Sequence, residues 1–79
     1  MKTVRFSNDC NKTLRKLRGE ASRIVAKIER YAETGAGDVT ALVGTDYTRI
    51  RIGDYRAILS ESDTEILVVR IGHRRDIYE

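Results

Sequence analysis

Asp46-Tyr-Thr-Arg-Ile-Arg-Ile-Gly-Asp-Tyr-Arg-Ala-Ile58 decides the fold. Two short runs of β-formers flank Gly53-Asp54, the signature of a two-residue hairpin turn in which Gly supplies the positive φ. A tight turn there pairs Ile52 with Tyr55, Arg51 with Arg56, Ile50 with Ala57 and Arg49 with Ile58. Strand side chains alternate between faces. Arg49, Arg51 and Arg56 therefore share one face, and Ile50, Ile52 and Ala57 share the other. Like charges directly opposite across a strand pair are destabilising. A local conflict of this kind is where function is expected. The plain reading is a solvated face with long side chains splayed apart. The sharper one is an anion site built of guanidinium groups.

Outward from the hairpin, the chain reads as one small α+β domain spanning residues 1–79. Lys2 to Phe6 reads as a strand with Val4 and Phe6 on one face. Ser7, Asn8 and Asp9 offer a helix cap. Cys10, Leu14 and Leu17 follow at helical spacing, and Gly19 is expected to break this first helix. Ala21, Ile24, Val25, Ile28, Tyr31 and Ala32 then trace the i, i+3, i+4, i+7 stripe of a second helix. Lys27 and Arg30 fall on its polar face and read as solvated surface. Gly35-Ala-Gly37 ends it. Asp38 to Gly44 reads as a connection, with Val39, Leu42 and Val43 pinned onto the sheet edge. After the hairpin, Glu61 to Glu65 is a polar turn and Ile66 to Ile71 a buried strand. The order is strand, helix, helix, strand, strand, strand: an antiparallel sheet with two helices packed on one face. The other face, where the hairpin arginines point, is left open.

Composition narrows the function. The chain has 79 residues, 41% hydrophobic and 34% charged, with a net charge of +3. Residues 1–39 carry nine Lys/Arg against five Asp/Glu, and residues 40–79 carry six against seven. All six of the latter cations are Arg, the side chain suited to bidentate phosphate contact. A single Cys excludes an internal disulfide, and Cys10 reads as a buried helix thiol. One Cys and one His do not make a zinc site of the usual kind. No Gly-rich nucleotide fingerprint, membrane-length apolar run or signal-peptide core is found.

The last strand ends in an unusual cluster, Gly72-His73-Arg74-Arg75, with Tyr78 close behind. Alone, His73 reads as structural and Tyr78 as packing. Beside hairpin arginines, they supply phosphate clamping with a proton donor and a proton acceptor.

The two motifs Tyr47-Thr-Arg-Ile-Arg-Ile-Gly-Asp-Tyr-Arg-Ala-Ile58 and Ile71-Gly-His-Arg-Arg-Asp-Ile-Tyr78, in this order, resemble those of the RelE/ParE superfamily of bacterial toxin–antitoxin toxins, most closely the RelE branch. The resemblance covers nearly the whole chain. It implies a cytoplasmic endoribonuclease that cuts messenger RNA in the ribosomal A site and is blocked by a cognate antitoxin. The implied reaction uses no metal or cofactor: a ribose 2′-hydroxyl attacks the adjacent phosphate. Matched by position, Arg49 and Arg51 are the basic pair before the turn, Arg56 the arginine after it, Arg74 the arginine at the end of the last strand and Tyr78 the C-terminal tyrosine. The catalytic set is then Arg51, Arg56, His73, Arg74 and Tyr78, with Arg49 and Arg75 binding substrate. The best-studied form of the family carries lysines where this chain has Arg49 and Arg51. Arginine does not lose its proton. Both are therefore restricted to binding and charge stabilisation, and the base falls to His73 or Tyr78. The alternatives are a ParE-like toxin that inhibits DNA gyrase by binding, and an inactive RNA-binding or scaffold domain. The His73, Arg74 and Tyr78 cluster favours the nuclease.

Overall fold

The computed structural model describes residues 2–77. Strand β1 (Thr3–Phe6) leads into helices α1 (Asn8–Leu17) and α2 (Gly19–Thr34). Strands β2 (Asp38–Ala41), β3 (Tyr47–Ile52), β4 (Tyr55–Glu61) and β5 (Glu65–His73) follow. The α+β reading holds, with one strand more than expected. The sheet runs β1-β5-β4-β3-β2, with β1 parallel to β5 and the other pairs antiparallel.

Local chemistry explains most element ends. Ser7 Oγ accepts from the Cys10 N–H at 3.2 Å, Asp9 sits in the first turn of α1, and Arg15 and Lys16 sit in its last. Each placement complements the helix dipole or its free N–H groups. Helix α2 turns Ile24 and Ile28 onto the sheet, where both are fully buried. It ends at Gly35, whose N–H reaches the Tyr31 carbonyl at 2.8 Å. The helix–helix break falls at Arg18, not at Gly19. Arg18 takes φ 47° and ψ −106°, and Gly19 opens α2.

The core is one layer between helices and sheet: Cys10, Ile24, Ile28, Ile50, Ile52, Ala57, Leu59, Ile66, Val68 and Ile71. Val4 and Phe6 pack against it from β1 as expected. The Cys10 thiol lies at its centre, donates to the Val68 carbonyl at 3.2 Å, and has its pKa raised by burial.

The segment read as a connection contains the edge strand β2, in register with β3 through Val39 and Ile50. Val39 packs half-buried against the core, Leu42 is also half-buried, and Val43 is fully exposed, so of the three expected anchors Val43 is the one not pinned down. Between β4 and β5 the register shifts at Ile58/Leu59: Leu59 faces Val68 while Ile58 faces Arg70. Val69 is the extra residue of a β-bulge.

Candidate functional site: an arginine face at the hairpin and tail

The hairpin has the expected register: Ile52 with Tyr55, Arg51 with Arg56, Ile50 with Ala57, Arg49 with Ile58. Gly53 has φ 59° and no other residue of the turn has positive φ, the pattern of a II′ turn. Ile50, Ile52 and Ala57 are buried against the helices. Arg49, Arg51 and Arg56 project from the opposite, uncovered face. Directly opposite residues hold their Cβ atoms about 4.5–5.5 Å apart. Arg51 and Arg56 therefore start side by side.

The ladder extends this face across the sheet. One row reads Asp38, Arg51, Arg56, Gly72, and the next reads Thr40, Arg49, Ile58, Arg70. Arg70 therefore joins the arginine face. Sequence reading missed it because the Val69 bulge changes which way the end of β5 points. The signal was present in the apolar spacing Ile66, Val68, Ile71, which skips one residue from strict alternation.

Hydrogen bonds hold several of these groups over the turn. Arg56 Nη1 donates to the carbonyls of Gly53 at 2.7 Å and Tyr55 at 2.9 Å. The Arg74 N–H donates to the Asp54 carbonyl at 2.8 Å, and its Nε lies 3.9 Å from Asp54 Oδ1. The end of β5 is thus stitched to the hairpin turn, with Arg56 on the Gly53 and Tyr55 carbonyls and Arg74 on Asp54 between them. Arg74 and Arg75 are exposed. Guanidinium groups brought to one face from adjacent strands suit the oxygens of a phosphodiester.

His73 takes a different position from the arginines. It stands opposite Tyr55, in the row of Ile52, on the helix side of the sheet. Its ring meets Tyr55 edge-on, with centroids 5.6 Å apart. Its Nδ1 accepts from the Arg75 N–H at 3.2 Å, and its carbonyl accepts from the N–H groups of Asp76 at 2.8 Å and Ile77 at 3.1 Å. The ladder does not bring the imidazole beside the guanidinium groups; it uses His73 to close the turn after β5. That turn carries the chain back. Gly72 shares its row with Arg56, and a Cβ built there would lie 3.2 Å from Ile77 Cδ1. Buried Ile77 therefore sits over Gly72 on the arginine face. Tyr78, the next residue, lies outside the described residues.

A family model described as the ParE toxin of type II toxin–antitoxin systems matches residues 4–78. The chain belongs to this toxin family. Solved structures similar to it include the RelB–RelE antitoxin–toxin complex from Methanococcus jannaschii, at 28% identity over 96% of each chain and a TM-score of 0.77. The archaeal RelE–RelB complex from Pyrococcus horikoshii is 26% identical over 95% of this chain and 97% of that one, with a TM-score of 0.79. The RelBE2 toxin–antitoxin complex from Mycobacterium tuberculosis is 26% identical over 92% and 98%, with a TM-score of 0.62. Among curated proteins no match is found. The toxin is therefore a RelE/ParE superfamily member whose solved relatives include toxins bound to RelB antitoxins.

Proposed function

We propose that this toxin is a ribosome-dependent endoribonuclease that cuts messenger RNA by 2′-hydroxyl transesterification and is silenced by a cognate antitoxin. The observation that carries the reading is the Arg51–Arg56 pair, held in direct register at the turn to which Arg74 is also tied. A fold gains nothing from two opposed cations. A pentacoordinate phosphorane, with more negative charge than the diester before it, gains from both.

In the reaction the 2′-oxygen forms a bond to phosphorus while the bond from phosphorus to the 5′-oxygen breaks. The 2′-proton goes to a base, and the departing 5′-oxygen receives a proton from an acid. Arg51, Arg56 and Arg74 neutralise the phosphate oxygens, and Arg49 and Arg75 hold the flanking strand. Arginine does not serve as the base. Proton transfer falls to Tyr78 and His73. The Nδ1 of His73 is taken up by the Arg75 N–H, and its ring stands on the helix side of the sheet, away from the guanidinium groups. His73 is thus assigned first to holding the tail turn, and Tyr78 to the proton. A His73→Ala,Tyr78→Phe variant that cuts message at the wild-type rate would remove both from the mechanism.

Induction in a bacterium lacking the antitoxin, followed by mapping of transcript ends, tests the reading. New ends within translated coding sequence support it, and replacement of the scissile nucleotide by its deoxy form should abolish the cut. The ParE description of the matching family favours a second reading, a DNA gyrase inhibitor without nuclease chemistry. Intact messages with gyrase-dependent DNA breaks would establish that one.

A further inference from the structure

A second group of cations faces a cleft that the proposed reaction does not use. It measures about 410 Å³ and opens between α2 and the β3–β4 hairpin. Lys27 and Arg30 form its helical wall, and Arg51 lies on the strand wall. Arg23, one turn before Lys27, reaches the end of the cleft, where its Nη2 lies 3.1 Å from the position a Cβ on Gly53 would take. Arg23 is paired with Glu20 at 2.6 Å. By contrast, no ion pair among the described residues involves Lys27, Arg30 or Arg51. Asp38 is the one acid in the lining, against three cations.

The cleft adjoins the arginine face. Arg51 belongs to both, since its cross-strand partner is Arg56. Arg56 lies on the open sheet and Lys27 and Arg30 on α2, and Arg51, at the strand end beside Asp38, is the residue common to the two groups. Lys12, Arg15 and Lys16 on α1 are equally exposed but line none of this cleft. A groove of like charges from separate elements is how sequence-tolerant proteins track a single-stranded backbone.

We propose that the α2–hairpin cleft is a phosphate subsite that takes the backbone of the RNA strand beside the segment held by Arg51 and Arg56. This rests on the reading that the arginine face takes RNA. Strand entering the cleft is gripped away from the scissile bond, so Lys27 and Arg30 contribute to binding and to register, not to the chemical step.

The test uses the purified full chain and a labelled single-stranded RNA oligonucleotide with 2′-O-methyl riboses, which lack the nucleophile. Binding is followed by fluorescence anisotropy across a salt series. Each phosphate contact on a single strand contributes about 0.7 to the slope of log affinity against log salt. Lys27→Gln,Arg30→Gln should lower that slope by about 1.4. Lys12→Gln,Lys16→Gln, which removes the same charge from α1, should keep the wild-type slope. Thermal melts of both variants check that each is folded. Equal losses in the two variants would overturn the subsite in favour of net charge alone. An unchanged slope in the Lys27/Arg30 variant would overturn it outright. Wild-type protein that shows the α2-dependent slope yet leaves message intact on ribosomes would sink the nuclease reading and leave the subsite standing.

Discussion

The two ends of β4 carry opposite kinds of polar cluster, roughly 20 Å apart for a strand of this length. At the far end, Glu61 accepts from the Tyr31 hydroxyl and from Lys2 Nζ, the latter at 2.9 Å. The backbone N–H of Lys2 also reaches the Ala32 carbonyl at 3.3 Å. Three elements, β1, α2 and β4, are joined there by groups that satisfy one another. Burial pushes the Glu61 carboxyl up, but the bonds from Tyr31 and Lys2 outweigh it and hold the group below its ordinary value. Burial and the facing carboxylate push Tyr31 up to about 12. At the hairpin end, Arg51 faces Arg56, and Arg74 Nε lies 3.9 Å from Asp54 Oδ1. One cluster holds the fold together. The other sets like charges against each other, and on the proposed reading it is RNA phosphate that they meet.

Substitutions should separate the two ends cleanly. The largest effect is expected from Arg51→Ala in a ribosome cleavage assay: a loss of about 100–1,000-fold, the usual result of removing one preorganised charge donor. The melting temperature should change little, because the mutation relieves the like-charge pair with Arg56 and at the same time removes the opposite charge facing Asp38 across β2. A large drop in melting temperature would mean that the arginine pair is structural and the contrast is false.

Glu61→Ala should do the reverse. It leaves Tyr31 and Lys2 without their shared acceptor, and it should lower stability by about 1–3 kcal/mol while cleavage per folded molecule is unchanged. In a domain this small that is a fall of about 4–8 °C per kcal/mol in a melt followed by circular dichroism.

The same cluster sets the pH dependence. The lowered pKa of Glu61 gives stability that is present above the ordinary carboxylate range and is lost as pH falls through its folded value. The raised pKa of Tyr31 gives stability that is complete below pH 10 and is lost as pH rises from there to about 12. Tyr31→Phe should remove the alkaline part of the loss from melts taken between pH 9 and about 12.

Two smaller effects sharpen the picture. Gly72→Ala places a methyl 3.2 Å from Ile77 Cδ1 on the arginine face. It should shift the tail by a few tenths of an ångström, reducing cleavage more than it reduces the melting temperature. Arg18→Gly should raise stability by up to about 1 kcal/mol, since a non-glycine residue at φ 47° is strained. An unchanged or lower melting temperature would show that the unfolded-state entropy of the new glycine cancels the relief.

How much was legible depended on how local the cause was. The hairpin register followed from Gly53-Asp54 and the β-branched runs around it, and every pair stands as read. The helices followed from apolar spacing and from Ser7. Strand β2 was illegible because Asp38–Ala41 is four residues between glycine-bearing loops, and only pairing with Thr48–Arg51 makes it a strand. Parallel pairing of β1 with β5 joins residues some sixty positions apart and has no local signal. For the site, Arg49, Arg51 and Arg56 were readable because alternation within one hairpin places them. His73 was not, since its direction depends on what happens earlier in β5. Lys27 and Arg30 were read as plain surface because helical periodicity shows which residues leave the core but not which neighbour they then face.

Val69 governs that earlier event in β5. As the unmatched residue opposite Ile58 and Leu59, it advances everything after it by half a pleat. Pair it with Ile58 instead, and Arg70 would turn inward against Ala57, Ile71 would stand out among the arginines, and Ile77 would lose Gly72 as its seat. A single codon thus acts as a phase setting for the whole tail. Lineages of this toxin should accept almost any apolar side chain at that position, since it sets the phase by being unpaired.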